Sequence, residues 1–142
     1  MTDNAALIEA AAELLHPHYE GDRLMGDVAS VLVTEAGNRH AGVCIDTSSG
    51  TGFCAEAAAI GAMVTAGEYA VAEIVAVWRD VADGRLFVLP PCGRCREFIR
   101  AVHAGNEATR VVLGESESAT LRELLPRLDW PDPLADRFTS GT

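Results

Sequence analysis

Two short cysteine-containing segments limit the folds open to this chain more than any other feature. The first reads Cys54-Ala55-Glu56, and the second reads Pro91-Cys92-Gly93-Arg94-Cys95. Each is followed by a stretch whose residue pattern predicts a helix, so each is expected where a helix begins. A fold that uses both segments must therefore bring the first turns of two helices, far apart in sequence, to one point.

Cys54, Cys92 and Cys95 are predicted to bind a single zinc ion. Zinc prefers thiolate and imidazole ligands, and a set of three protein ligands leaves the fourth tetrahedral position for water. Zinc lowers the pKa of that water from about 15.7 to about 7. The partial positive charge of helix N-termini, together with Arg94 and Arg96, is expected to offset the charge of three thiolates. Three thiolate ligands with one position left for water therefore predict a catalytic zinc site.

Glu56 is predicted to be the catalytic proton shuttle. The order Cys-x-Glu, then Pro-Cys-x-x-Cys, is the signature of zinc-dependent deaminases, in which the glutamate is not a metal ligand. A glutamate in this position takes a proton from water, passes it to the ring nitrogen next to the attacked carbon and then protonates the departing ammonia. Both half-motifs in this order make a far more specific signal than Cys-x-x-Cys alone.

Composition restricts the function classes further. The chain has 142 residues, of which 49% are hydrophobic, and carries a net charge of -10 with no lysine. It is expected to form one domain, residues 1–142, with 131–142 a loose C-terminal tail. An acidic surface disfavours a nucleic acid polymer as partner and fits a small uncharged or cationic substrate. The absence of lysine also excludes Schiff-base chemistry.

The same sequence also allows predictions about the cellular compartment and about membrane spans. No run of about 18 apolar residues is present, which predicts no membrane span. The first residues lack a basic segment before an apolar stretch, so no secretory signal is expected. A cytoplasmic location follows, and there the four cysteines are more plausible as metal ligands than as disulfides.

Strand and helix patterns alternate along the chain and predict a three-layer α/β fold. Predicted strands lie at 28–34, 41–46, 74–78, 86–89 and 111–113. Predicted helices lie at 5–15, with Asn4 as its cap, and at 54–66, 93–103 and 120–125. Both cysteine segments fall at a loop-to-helix transition, where open α/β sheets tend to place ligands.

These segments resemble the cytidine deaminase family, in the free-nucleoside branch whose zinc is held by three cysteines. The segments Val28-Ala29-Ser30, Gly42-Val43 and Cys92-Gly93-Arg94-Cys95-Arg96 are more similar to its blasticidin S deaminase relatives. The resemblance implies an α/β/α fold with a five-stranded mixed sheet. It also implies a homotetramer whose active sites are completed by neighbouring subunits, a role in pyrimidine salvage, and hydrolytic deamination of a free cytosine-type nucleoside or analogue.

The segment expected to bind the substrate's sugar departs from the family pattern. Cytidine-binding members carry Asn-x-Glu-Asn where this chain has Cys44-Ile45-Asp46-Thr47. Asp46 can still accept a hydrogen bond from a hydroxyl, whereas Cys44 cannot replace an amide that both donates and accepts. Cys44 and Asp46 are retained as candidate substrate contacts, and a buried apolar role for Cys44 stays open.

The resemblance assigns further roles around the zinc site. It implies that the backbone of Ala55, and that of Pro90 or Pro91, binds the edge of the base. Family members often carry an arginine directly after Cys-Ala-Glu, but this chain has Ala57 there, so Arg94 is expected to be the partner of the zinc thiolates. Trp130 is a candidate to reach a neighbouring subunit's pocket.

Four alternatives stay open at this point. The three cysteines could form a structural zinc site closed by Cys44 as fourth ligand. Cys92 and Cys95 could form a redox pair. The chain could be a zinc-stabilised binding module that has lost the reaction. It could also deaminate blasticidin S or another amino-heterocycle rather than cytidine.

Overall fold

The computed structural model describes residues 1–131, so the expected C-terminal tail lies outside the described residues apart from its first residue. Three α-helices are α1 (Asn4–Ala12), α2 (Ala55–Thr65) and α3 (Gly93–Val102). Eight strands are β1 (His18–Glu20), β2 (Arg23–Met25), β3 (Val28–Thr34), β4 (Arg39–Val43), β5 (Val71–Arg79), β6 (Leu86–Leu89), β7 (Arg110–Val112) and β8 (Ser118–Thr120). Short 3₁₀ helices lie at Ala104–Ala108 and Arg122–Leu124. Among these described residues, no helix is both long and apolar enough to cross a bilayer.

The main sheet is mixed and has β5 at its centre. Its strand order is β4-β3-β5-β7-β8, and β6 also pairs with β5. Because β3 pairs along one edge of β5, strands β6 and β7 share the other edge, opposite residues 76–79 and 73–74 respectively. Among the strand pairs of residues 1–131, β5 with β7 is the only parallel one. Six strands thus occupy five positions in the sheet. The resemblance implied five strands, and the additional one shares an edge of β5 with its neighbour. Strands β1 and β2 form a separate hairpin.

Helices cover both faces of this sheet, which confirms the three-layer arrangement. Leu32 of β3 packs in one cluster with Ile60 of α2 and Ile99 of α3. Val31, on the opposite face of the same strand, packs with Leu7 of α1. Successive side chains of a strand point to opposite faces, so β3 and β5 serve both cores at once. Helices α2 and α3, which carry the cysteine segments, therefore lie side by side on one face.

Several predicted element bounds differ from the structure. Asn4 is the first residue of α1 rather than its cap, because its side chain donates to the Gly114 carbonyl at 2.9 Å. Helix α1 ends at Ala12 instead of continuing to residue 15. Strand β4 ends at Val43 rather than at residue 46. Val43 pairs with Ala29, and β3 has only one further residue, Val28, on that side. The helix predicted at 120–125 is a single 3₁₀ turn.

Helix α2 lies against β4 without space for a side chain between them. A Cβ added at Gly42 would lie 2.4 Å from the Ala58 Cβ and 2.6 Å from the Ala59 backbone nitrogen. Such distances are far below van der Waals contact, so glycine is required at this close approach. This packing fixes the position of α2 and therefore of the residues at its beginning.

Candidate active site

Two helix N-termini present the cysteines. Cys54 and Cys92 are the N-cap residues of α2 and α3, both with extended backbone, and neither side chain caps its own helix. Cys95 lies in the first turn of α3 and is 1% exposed. The Sγ atoms of the three residues all lie within 4.8 Å of one another, and those of Cys54 and Cys92 are 3.6 Å apart. The structure therefore brings together the three cysteines that the sequence predicted as ligands.

The cluster fits a zinc ion. A tetrahedral centre with Zn–S bonds of about 2.3 Å holds its sulfur atoms about 3.8 Å apart, close to the separations found here. Within residues 1–131, no other Cys, His, Asp or Glu belongs to a group of potential ligands with these thiols. Cys44 instead donates to the Asp27 Oδ1 at 3.1 Å. The hypothesis of a structural site closed by Cys44 is therefore wrong, because that thiol is directed to a carboxylate outside the cluster.

The thiols differ in how readily they lose their protons. Burial raises the pKa of Cys92, but the backbone N–H of Cys95 and the Cys54 thiol outweigh burial and leave the Cys92 pKa below its usual value. Burial and the neighbouring Cys92 thiol raise the pKa of Cys54. Burial, with the charge of Glu56, raises the pKa of Cys95. Because metal ligation requires thiolates, zinc binding must release protons from this site.

Glu56 lies at the floor of the site, in the first turn of α2. It is 5% exposed, and burial raises its pKa although its own backbone N–H opposes that shift. It follows Cys54 by two residues at the start of the same helix, and its charge raises the pKa of both Cys54 and Cys95. A carboxyl group whose pKa is raised toward neutrality is suited both to take and to give a proton.

A cleft of about 440 Å³ opens beside Cys54. Among its lining residues are Cys44, Asp46 and Arg94, all of which the sequence placed near the substrate or the metal. Ala55 and Pro91, the candidate contacts to the base, are both buried next to the ligand cysteines. Trp130 is 46% exposed.

Sequence reasoning missed Asp27, which also lines this cleft. It lies directly before β3, where no recognisable motif marks it. The only available signal was a carboxylate directly before the strand predicted at 28–34.

The two cysteine segments are also connected through arginines. The Arg94 Nη1 donates to the Gly52 carbonyl at 3.3 Å, which joins the start of α3 to the loop before Cys54. Arg96 donates from Nε to the Pro91 carbonyl at 2.8 Å and from Nη1 to the Leu124 carbonyl at 3.1 Å. Arg94 as partner of the thiolates stays a prediction, since its hydrogen bond goes to the Gly52 backbone carbonyl.

The loop between β4 and α2 is closed at its base. Ile45 and Phe53 pair as an isolated antiparallel bridge, with N–H···O distances of 3.1 and 3.0 Å. A Cβ at Gly52 would lie 2.5 Å from the Ile45 carbonyl oxygen, so the two ends of the loop approach as closely as backbones can. This bridge holds the chain immediately before Cys54 against the end of β4.

Comparison with known proteins agrees with this geometry. No family model matches the chain. Over 124 residues it is 32% identical to a blasticidin-S deaminase of Bacillus cereus, which covers 84% of this chain and 87% of that protein. The chain belongs to the zinc-dependent cytidine deaminase family. It is therefore a hydrolytic deaminase that acts on a C–N bond, and zinc is the metal for its three thiolates.

Solved structures of the family share its fold. A cytidine deaminase from Burkholderia pseudomallei is 27% identical, with a TM-score of 0.69, over 89% of this chain and 98% of the other. A cytidine deaminase from Bacillus anthracis has a TM-score of 0.73 over 96% of each chain and is 21% identical, which concerns the fold alone. Both matches cover most of the chain.

Proposed function

We propose that this deaminase acts on a free cytosine-type nucleoside or nucleoside analogue. Water replaces the exocyclic amine at the ring carbon, so the products are a ring carbonyl and ammonia. One observation supports this most directly: three thiols cluster where α2 begins, Cys54 among them lines an open cleft, and Glu56 is buried in the first turn of the same helix. The similarity to a blasticidin-S deaminase and to cytidine deaminases supports the ring type.

The residues divide the reaction among them. When bound by Cys54, Cys92 and Cys95, zinc supplies an activated water as nucleophile. Glu56 takes one proton of that water and gives it to the ring nitrogen, then takes the second proton from the same oxygen and gives it to the leaving amine, so no other acid is needed. The backbone of Ala55 and the carbonyl of Pro90 or Pro91 bind the base edge; Arg96 occupies one lone pair of the Pro91 carbonyl.

A nucleoside analogue such as blasticidin S is favoured over cytidine by a specific observation. In the cleft, Cys44 and Asp46 stand where cytidine-binding members carry Asn and Glu. The Cys44 thiol already donates to Asp27 and is a weak donor, so it makes a poor partner for a sugar hydroxyl. If cytidine proves to be the substrate, the enzyme has a place in pyrimidine salvage.

The same proposal includes a homotetramer in the cytoplasm, with no nucleic acid polymer as partner. A groove of about 410 Å³ on the outer surface of α2 and α3 supports assembly. We call it the helix groove; its lining includes Phe53, Ala57, Phe98 and Ala101. Phe98 is 40% exposed there. An acidic net charge of -10 disfavours a phosphate backbone.

Ammonia release from zinc-quantified protein tests the proposal. The panel is cytidine, deoxycytidine, cytosine, blasticidin S, adenosine and a guanine-type analogue, each measured with wild type and with Glu56→Gln. Glu56→Gln should keep its zinc and lose about 10²- to 10⁴-fold in kcat, the usual contribution of a positioned acid–base group. The matched control is Glu13→Gln, an exposed carboxylate at the end of α1, which should retain full activity.

Three outcomes are informative. Release from a cytosine-type nucleoside that disappears in Glu56→Gln supports the function. A Glu56→Gln protein with most of its activity rules out the mechanism. A ligand-induced rise in Tm without ammonia from any compound indicates the binding-module alternative instead.

A further inference from the structure

Asp27 is a carboxylate held rigidly at the wall of the cleft. Its Oδ1 accepts a hydrogen bond from the Cys44 Sγ at 3.1 Å, and its Oδ2 accepts one from the Trp78 Nε1 at 3.2 Å. Its backbone carbonyl also accepts from the Arg79 N–H at 3.1 Å. Trp78 in turn stacks on Phe87, with ring centroids 5.4 Å apart. Strands β4 and β5 thus fix the orientation of this side chain.

The carboxylate still has capacity for a ligand. Each carboxylate oxygen has two lone pairs, and the two hydrogen bonds described use one on each oxygen. Because Asp27 lines the cleft that also contains the zinc ligand Cys54, a group of the substrate in that cleft can reach it. A pre-oriented carboxylate loses little conformational entropy when it binds a donor.

The charges of the cleft select the kind of donor. Its wall contains two carboxylates, Asp27 and Asp46, and one guanidinium, that of Arg94. The Arg94 Nη1 is engaged with the Gly52 carbonyl. A substrate therefore meets mainly hydrogen-bond acceptors of negative charge, which favours a cationic donor over a neutral hydroxyl.

On the basis of the proposed function, we propose that Asp27 determines specificity by binding a protonated amine on the sugar side of a cytosine-type nucleoside. The substrate class is thus an aminonucleoside. Asp27 takes no part in proton transfer, since the reacting carbon lies at the zinc site and Glu56 serves it. A substitution of Asp27 is therefore expected to change KM and the preference between substrates.

Kinetics on matched substrates test this role. The zinc-loaded enzyme is assayed for ammonia release with cytidine, 3′-amino-3′-deoxycytidine and 5′-amino-5′-deoxycytidine, which differ only in a sugar substituent. Wild type should prefer at least one amino compound. Asp27→Asn keeps the shape and removes the charge, so kcat/KM for that compound should fall about tenfold or more, the scale of a lost charged hydrogen bond, mainly through KM. Cytidine should change less than about threefold.

The control is Glu115→Gln, which removes one charge from an exposed residue on the turn between β7 and β8. It should leave the preference for the amino compound unchanged. A second measurement uses wild type alone. Its kcat/KM for the amino compound should fall as the KCl concentration is raised, whereas its kcat/KM for cytidine should stay constant. This measurement decides the matter if Asp27→Asn does not fold.

The role is overturned if wild type does not prefer an amino compound, if Asp27→Asn affects cytidine equally, or if the salt effect is absent. Failure of the proposed function is a different result, namely no ammonia from any cytosine-type compound. In that case calorimetric binding of the amino compound and of cytidine to wild type and Asp27→Asn still tests Asp27, with a selective loss expected for the amino compound.

Discussion

At the scale of single residues, the four cysteines separate into two kinds by what their sulfur atoms contact. Cys54, Cys92 and Cys95 face one another, whereas Cys44 faces Asp27. Thiolates that converge without a metal repel each other, so the cluster has its use only when an ion is bound. Metal affinity in such a site is also folding free energy.

Replacement of Cys92 tests the ligand set. Cys92→Ala should bind less than one zinc per chain and unfold at a lower Tm, because the ion that joins α2 to α3 is lost. Zinc content and thermal unfolding measure the two effects. Cys44→Ala is the matched control and should keep its full zinc content. A stable, fully metallated Cys92→Ala protein would show that the ligand is misassigned.

The sequence was sufficient for some site residues and insufficient for others. Cys54, Cys92 and Cys95 lie in two local motifs whose spacing indicates a shared metal site, so their convergence was predictable. Asp27 was not, because its partners Cys44 and Trp78 reach it only through the registers of β3 with β4 and β5. Residue spacing within one segment does not encode register between segments.

At the scale of elements, the position of the site depends on how closely α2 approaches β4. Gly42 lies directly against the Ala58 Cβ and the backbone of α2, so any displacement there is passed on to Cys54 and Glu56 at the start of the helix. Interiors packed at this density have no free volume to absorb an added methyl group.

A methyl group at Gly42 should therefore displace the helix. Gly42→Ala is expected to lower the free energy of unfolding by about 1–3 kcal/mol and to reduce kcat. Gly61→Ala, within α2 itself, is the matched control, since an added Cβ there meets no atom within 4 Å. It should stabilise the protein by about 0.5–1 kcal/mol. Urea unfolding and ammonia release measure both; a neutral Gly42→Ala would contradict the close approach.

Strands with a continuous apolar run were predictable, and strands without one were not. Strand β3 and strand β6 have the bounds that apolar runs predicted. Strands β1, β2 and β8 have three residues each, too few to show an alternating pattern, and they form only because a neighbouring strand supplies partners. The early end of α1 likewise follows from tertiary contacts that the sequence pattern does not contain.

At the scale of the whole molecule, a buried ion pair attaches the N-terminal segment to the sheet. The Glu73 Oε1 on β5 accepts hydrogen bonds from the Arg110 Nη2 and the Thr2 backbone N–H, both at 2.9 Å. Arg110 on β7 also donates to the Thr2 carbonyl and to the Asn4 side chain. Glu73 is 5% exposed. Burial raises its pKa, but Arg110 and Thr2 outweigh burial and hold the pKa below its usual value.

Stability should depend on pH through this group. A depressed carboxylate pKa contributes stability above the unfolded value of about 4.3, and that contribution is lost as pH falls through the folded pKa. Glu73→Gln should therefore lower the free energy of unfolding by about 2 kcal/mol at pH 7, and the difference from wild type should shrink below about pH 4. Urea unfolding at both pH values measures this. Glu9→Gln, an exposed carboxylate on α1, is the control; a constant gap would show that Glu73 does not titrate as inferred.

Assembly is tested at the helix groove. Wild type should have the mass of four copies of the 15.0 kDa chain by light scattering. Phe98→Asp should shift that mass downward, because in the proposed tetramer the introduced charge would be buried against another copy. Val81→Asp is the control, since Val81 is 51% exposed on the turn after β5 and away from the groove. A monomeric wild type would contradict the proposed homotetramer, and a Phe98→Asp protein of unchanged mass would show that the helix groove is not where the copies meet.

The closed loop before Cys54 has a consequence for how this scaffold can change. Because the bridge between Ile45 and Phe53 clamps both ends of the loop, residues 46–51 can be replaced or altered in number while the metal ligands stay in place. The loop can then vary in sequence while the residues that bind zinc and carry out the reaction stay the same. Laboratory evolution confined to those positions would test new substrates on variants that still fold and still hold zinc. Substrate specificity would then change without any change in the residues that carry out the reaction.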